Sequence, residues 1–147
     1  MKIALDSNVL AYAEGVNGPV KQTAILQLLA RLPPRSQSIG AQVLAELYRV
    51  LVGKAKLPAV EARKAVLKWR NSAPVLDTTD AVMLMAIEIA TMHRFSIWDS
   101  IIISAAAGAD CDMLLSEDMQ DGFSWAGLVV VNPLGNPHHP LLASVLC

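Results

Sequence analysis

Residues Lys2–Gly15 read KIALDSNVLAYAEG. Lys2–Leu5 reads as a short buried strand, and Asp6 follows it at once. Ser7–Glu14 then has the composition of a short helix that stops at Gly15. A strand that passes through one acidic residue straight into a helix is the opening half of a β-α unit.

The same alternation continues along the chain. Gly18-Pro19 opens a second helix to about Arg31, with proline at a favourable early position, and Pro33-Pro34 stops it. Ser36–Ile39 reads as a strand and Ala41–Val52 as a helix, in which Gln42, Glu46 and Arg49 share one face. Pro58 starts a helix through Arg70 whose stripe Ala59, Ala62, Val66 and Trp69 is a buried face by spacing. Pro74–Leu76 is a strand, and Asp77 and Asp80 are placed as cap and first-turn acid of a helix over Thr79–Arg94. Asp99 begins a helix that Gly108 ends, and Met113–Leu115 and Leu128–Val131 are short strands. The pattern predicts one α/β domain over residues 1–132, a parallel sheet of about four to five short strands sandwiched by helices. Residues 133–147, with Pro133, Pro137 and Pro140, read as an irregular tail.

Composition narrows the function classes. The chain has 147 residues, enough for one domain with a sizeable core. Apolar residues reach 54%, which points to helices buried on most sides or to a surface that meets a partner. The longest charge-free apolar stretches fall short of the roughly 20 residues a bilayer span needs, and no signal peptide is legible. Cys111 and Cys147 lack metal-ligand spacing, so a reduced, cytoplasmic setting is expected. Net charge is −1, but all 12 Lys and Arg residues lie at or before Arg94, and only acids follow. That asymmetry suits a metal-binding end and a phosphate-facing middle, although ordinary surface charge would look the same.

Four places combine an acid with a functional position: Asp6 at the end of the first strand, Glu46 within an apolar helix, Asp99 at a helix start, and Asp118 with Asp121 after MLLS. Each also has a local explanation. Asp6 and Asp99 suit helix caps, Glu46 suits a pair with Arg49, and Asp118 and Asp121 suit a turn. Asp6 and Asp118 nevertheless follow strands on one predicted edge of the sheet, where functional groups collect in such folds. Converging carboxylates repel unless cations lie between them, and hard oxygen ligands suit Mg²⁺ or Mn²⁺.

Four segments carry a specific resemblance. LDSNVLAYA resembles the opening motif of PIN domains, the family that includes VapC-like toxins. AQVLAELYRVL, FSIWDSIIISAA and LLSEDMQDG resemble its second, third and fourth motifs, in order, as far as about Gly122. The resemblance implies a metal-dependent ribonuclease, with Asp6, Glu46, Asp99 and Asp118 holding Mg²⁺ or Mn²⁺ and Asp121 a weaker addition. It places Ser7 and Ser116 as hydroxyls near the site and Asn8 in a structural role. In the pair Glu117-Asp118, Asp118 is expected to face the metal. It further implies an RNA substrate, a homodimer and an antitoxin partner.

Arg49, Lys64 and Lys68 belong to a basic segment that would form part of an RNA-facing wall; a solvated helix face is the competing reading. No Cys–His pair or Gly-x-Ser-x-Gly is present, and His93, His138 and His139 fall outside the motifs. Asp6-Ser7-Asn8 lacks the second acid of a haloacid-dehalogenase nucleophile motif. A response-regulator receiver would need a late lysine, and the last one here is Lys68. The remaining rival is a metal-free PIN-like module that binds RNA or protein without catalysis.

Overall fold

A computed structural model describes all 147 residues. Its strands are β1 (Ile3–Leu5), β2 (Gln37–Gly40), β3 (Val75–Leu76), β4 (Met113–Leu115), β5 (Ser124–Trp125) and β6 (Leu128–Val131). Its helices are α1 (Ser7–Ala13), α2 (Pro19–Arg31), α3 (Ala41–Gly53), α4 (Ala59–Ser72), α5 (Asp80–His93), α6 (Ile97–Gly108) and α7 (Pro140–Ala143). The fold is a single α/β domain, as the alternation predicted.

The sheet order is β3-β2-β1-β4-β6-β5. Every adjacent pair is parallel except β5 with β6. β1 and β4 run in register at the centre, Leu5 opposite Leu115. Both are buried throughout, which is why they read as unbroken apolar runs. From β1 the chain steps outward to β2 and β3, then returns across the sheet to β4. Strand order therefore reverses between β1 and β4, and the crevice beyond their carboxyl ends is the expected place for a site. The core gathers Ile3, Leu5, Ile39, Leu114 and Val130 from the sheet and Leu10, Ile25, Leu47, Ile89 and Ile103 from the helices.

Four local expectations are corrected. The cap of α5 is Thr79, whose hydroxyl accepts the Val82 N–H at 3.2 Å, and Asp77 stays outside the helix. Helix α6 starts two residues before Asp99, because Ser96 caps it and accepts the Asp99 N–H at 3.1 Å. That helix also runs through Gly108, and the left-handed turn falls on Asp110 (φ 59°). The tail is not wholly irregular: α7 buries Leu142 completely, and the backbone N–H of Cys147 bonds the Arg31 carbonyl at 3.1 Å. No helix is long and apolar enough to cross a membrane.

The sixth strand, β5, escaped the pattern reading because it is two residues long. It is made by a two-residue turn, Ala126-Gly127, with both φ values positive (48° and 85°). Such turns match strand twist and favour Asn-Gly. Alanine pays a steric cost at its position that asparagine largely avoids. Ala126→Asn should stabilise the fold by a few tenths to about 1 kcal/mol, raising Tm by about 1–3 °C. A lower Tm by calorimetry would show that the turn is not limiting.

Candidate functional site

At the carboxyl ends of β1 and β4 lies a buried polar knot. Asp6 is only 3% exposed. Its Oδ1 accepts the Ser7 N–H at 2.7 Å, which caps α1. Its Oδ2 accepts from Ser116 Oγ at 2.7 Å and from Asn8 Nδ2 at 3.1 Å. Asn8 also reaches Ser116 Oγ at 3.2 Å, and its Oδ1 accepts the Glu117 N–H at 3.1 Å. Asp6 is thus both cap and buried cluster member, so the two readings of it were never exclusive. The Ser7 hydroxyl contributes only a long bond to Asp6 Oδ1, 3.5 Å.

Three further acids come from separate elements and lie close enough for charge to be felt at the site: Glu46 from the middle of α3, Asp99 from the first turn of α6, and Asp118 from the segment after β4. Ser96 takes the capping role for α6 and also hydrogen-bonds with the Asp99 carboxylate. The four acids act on one another. Burial pushes the Asp6 carboxyl up to about 6, beyond what its bonds to Ser116 and Ser7 offset, and the charges of Asp99 and Asp118 add to the rise. Glu46 is pushed up to about 7, by burial first and then by Asp6 and Asp99; Arg49 offsets little of this. Asp99 is raised by burial and by Asp118, against the Ser96 bond. The pairing of Glu46 with Arg49 does not form as an ion pair.

The residues fit a hard divalent cation. Their donors are carboxylate oxygens, which suit Mg²⁺ or Mn²⁺. Glu46 Oε2 is buried with no hydrogen-bond partner, an arrangement a cation would relieve. No three His, Cys, Asp or Glu side chains close on one point.

Glu117 and Asp118 take different roles. Glu117 Oε1 accepts from Tyr12 OH and Lys21 Nζ, both at 2.6 Å, and Lys21 also lies 4.7 Å from the Tyr12 ring centre. Burial pushes the Glu117 carboxyl up, but Lys21 and Tyr12 more than offset it and leave it below its usual range. This triangle pins Glu117 away from the acids, while Asp118 remains exposed beside them. Asp121 Oδ1 accepts the Asn132 N–H at 2.8 Å, so one of its oxygens holds the turn after β4.

Of the basic residues, Arg49 lines an open groove of about 400 Å³ with Gln42, Ala45, Glu46 and Trp98. Lys64 lies on the exposed surface of α4, 3.3 Å from Glu61, and Lys68 is exposed on the same helix. Sequence reasoning missed Tyr12, Lys21 and Trp98. The first two carry no pattern that relates them to residue 117; Trp98 had a visible signal, a large aromatic next to Asp99.

A family model described as PIN domain matches residues 3–123. The fold is also that of several solved structures. The Mycobacterium tuberculosis toxin VapC20, described as cleaving the sarcin-ricin loop, aligns with TM-score 0.67 and 20% identity, over 80% of this chain and 92% of its own. A toxin–antitoxin complex from Klebsiella pneumoniae gives 0.67 and 18%, over 90% and 98%. VapBC2 from Rickettsia felis, bound to a DNA fragment from its promoter, gives 0.64 and 20%, over 88% and 97%. No curated protein matches the sequence.

The raised carboxyls predict an inverted pH dependence in chelator. An acid whose folded pKa is raised contributes stability that is complete below its unfolded pKa, near 4, and lost as pH rises through the folded value. With folded values of about 6 for Asp6 and about 7 for Glu46, metal-free protein should melt higher at about pH 5 than at about pH 8. Glu46→Gln should raise Tm at the higher pH by a few degrees and flatten the profile. A parent profile already flat across that window would contradict the electrostatic account.

Proposed function

The chain belongs to the PIN-domain family, and we propose that it is an Mg²⁺- or Mn²⁺-dependent ribonuclease, the toxin of a toxin–antitoxin pair. The observation that carries this reading is the group of acids at the strand-order reversal, where Asp99 and Asp118 act on Asp6, Asp6 and Asp99 act on Glu46, and Glu46 Oε2 has no partner.

Asp6, Glu46, Asp99 and Asp118 would hold the ion, with Asp121 a weaker contributor from the turn. A bound divalent ion there supplies Lewis acidity toward a phosphate and lowers the pKa of a coordinated water. Ser116 and Asn8 fix the Asp6 carboxylate through the bonds already described, so it is aimed before substrate arrives. Burial of Asp6 and half-burial of Glu46 exclude competing water from their oxygens. The acids act as ligands, not as nucleophiles. A water oxygen bonds to phosphorus, the bond to the 3′ oxygen breaks, and the departing oxygen takes a proton. The ends produced are 5′-phosphate and 3′-hydroxyl.

Arg49 lies in the groove beside Glu46 and suits a substrate phosphate. Lys64 and Lys68 would extend the RNA-facing wall along α4. The homodimer and antitoxin are drawn from the kinship with VapC-like proteins. They are supported by apolar side chains left exposed on α5, where Leu84 is 64%, Ile87 54% and Met92 61% exposed.

Purified protein should cut labelled RNA only with Mg²⁺ or Mn²⁺, and Asp6→Asn and Asp99→Asn should each lower the rate by at least about 100-fold. Full cutting in chelator would discard the mechanism. Absence of both cutting and calorimetric metal binding would favour the metal-free binding module. Replacing Lys64 and Lys68 together by alanine should weaken RNA binding and flatten its logarithmic salt dependence by up to about two units, one per phosphate contact. An unchanged salt slope would remove α4 from the interface.

A further inference from the structure

We infer that Trp98 is a base-stacking platform beside the acidic cluster, which holds an unpaired nucleotide next to the cleaved phosphate. The inference rests on the ribonuclease reading and adds a substrate-positioning residue to it.

Trp98 is 61% exposed, the most open of the three tryptophans, since Trp69 and Trp125 are both half-buried. An indole left in water forgoes the burial that stabilises most tryptophans, and such side chains are enriched where ligands bind. Its position is fixed: it lies in the first turn of α6, capped by Ser96, and its carbonyl accepts the Gln42 Nε2–H from α3 at 3.0 Å. From this held backbone Trp98 lines the groove that Glu46 and Arg49 also line.

The same groove presents the other chemistry a nucleotide needs. Arg49 makes no ion pair, so its guanidinium is available to a phosphate. Asp99 directly follows Trp98, so a base on the indole keeps its own phosphate close to the acids. A groove with a flat aromatic wall and one free cation matches a nucleoside phosphate in both shape and charge. Bases within a duplex have both faces covered by neighbours, so only an unstacked base can use the indole.

The test uses full-length protein carrying Asp99→Asn, so that RNA is bound without being cut, with Mg²⁺ present. Fluorescence anisotropy measures affinity for a short single-stranded RNA, its duplex form and versions with a single abasic nucleotide at successive positions. Trp98→Ala should weaken single-strand binding by about 10- to 100-fold, the loss expected for one base–aromatic stack. Trp98→Phe, which keeps a ring, should stay within a few-fold. One abasic position should cost the Trp98 protein a similar factor and the Trp98→Ala protein almost nothing. Equal affinity of the Trp98 and Trp98→Ala proteins, or equal binding of duplex and single strand, would overturn the inference. So would dissociation of a dimer by Trp98→Ala with RNA affinity unchanged, read by light scattering, since Trp98 would then be an interface residue. Failure of the ribonuclease reading is separate: it appears as no metal-dependent cutting by the unsubstituted chain, whatever Trp98 does to binding.

Discussion

The structure turns on a carboxylate with almost no access to water at the end of a central strand. Asp6 survives burial because hydrogen bonds from Ser7, Asn8 and Ser116 replace its hydration. Those bonds tie the end of β1 to the start of α1 and to the residue after β4, so one side chain caps a helix and pins the two central strands together. Bonds to an ionised group each contribute about 1.5–3 kcal/mol, yet burial still raises its pKa. The knot is held firmly and remains electrostatically uncomfortable. A cation beside it would relieve that discomfort, and this tension is the physical basis for treating the crevice as a metal centre.

The surrounding acids are sorted by what else they can bond. Glu117 is ion-paired with Lys21 and accepts a hydrogen bond from Tyr12, and an Asp121 oxygen accepts the backbone N–H of Asn132. Glu46 has a buried oxygen with nothing to receive. Asp99 keeps a bond with Ser96, the serine that caps its helix. Whether an acid stays free in this chain is therefore settled by its neighbours' hydrogen bonds. Adjacent residues such as Glu117 and Asp118 can part company completely.

Charge on the outer surface follows a similar logic. Lys64 has a glutamate within reach on its own helix, whereas Arg49 stands unpaired at the mouth of the crevice beside Glu46 and Trp98. The apolar excess in the composition is divided between a close-packed core and side chains left open on α5 and at Trp98. A composition total cannot separate these two destinations, because each contributes equally to it.

The sequence by itself determined the alternation of strands and helices, the parallel centre of the sheet and the four motifs with their acids. These rest on local chemistry: apolar runs, proline and glycine punctuation, and residue types at short spacing. The edge strand β5 was not legible, because two residues carry no periodicity and its pairing is created by the turn to β6. Asp77 and Asp99 suit a helix start by residue type as well as Thr79 and Ser96 do, and only the hydrogen bonds show that the two hydroxyls are the caps. Only the tertiary structure decided that Lys21 and Tyr12 restrain Glu117, that the Asn8 amide bridges to Ser116 and Glu117, and that Trp98 shares a groove with Glu46. Each of these joins residues from separate elements, some about a hundred positions apart in the chain. Such partners are brought together by the packing of helices on the sheet, which leaves no local mark on either residue.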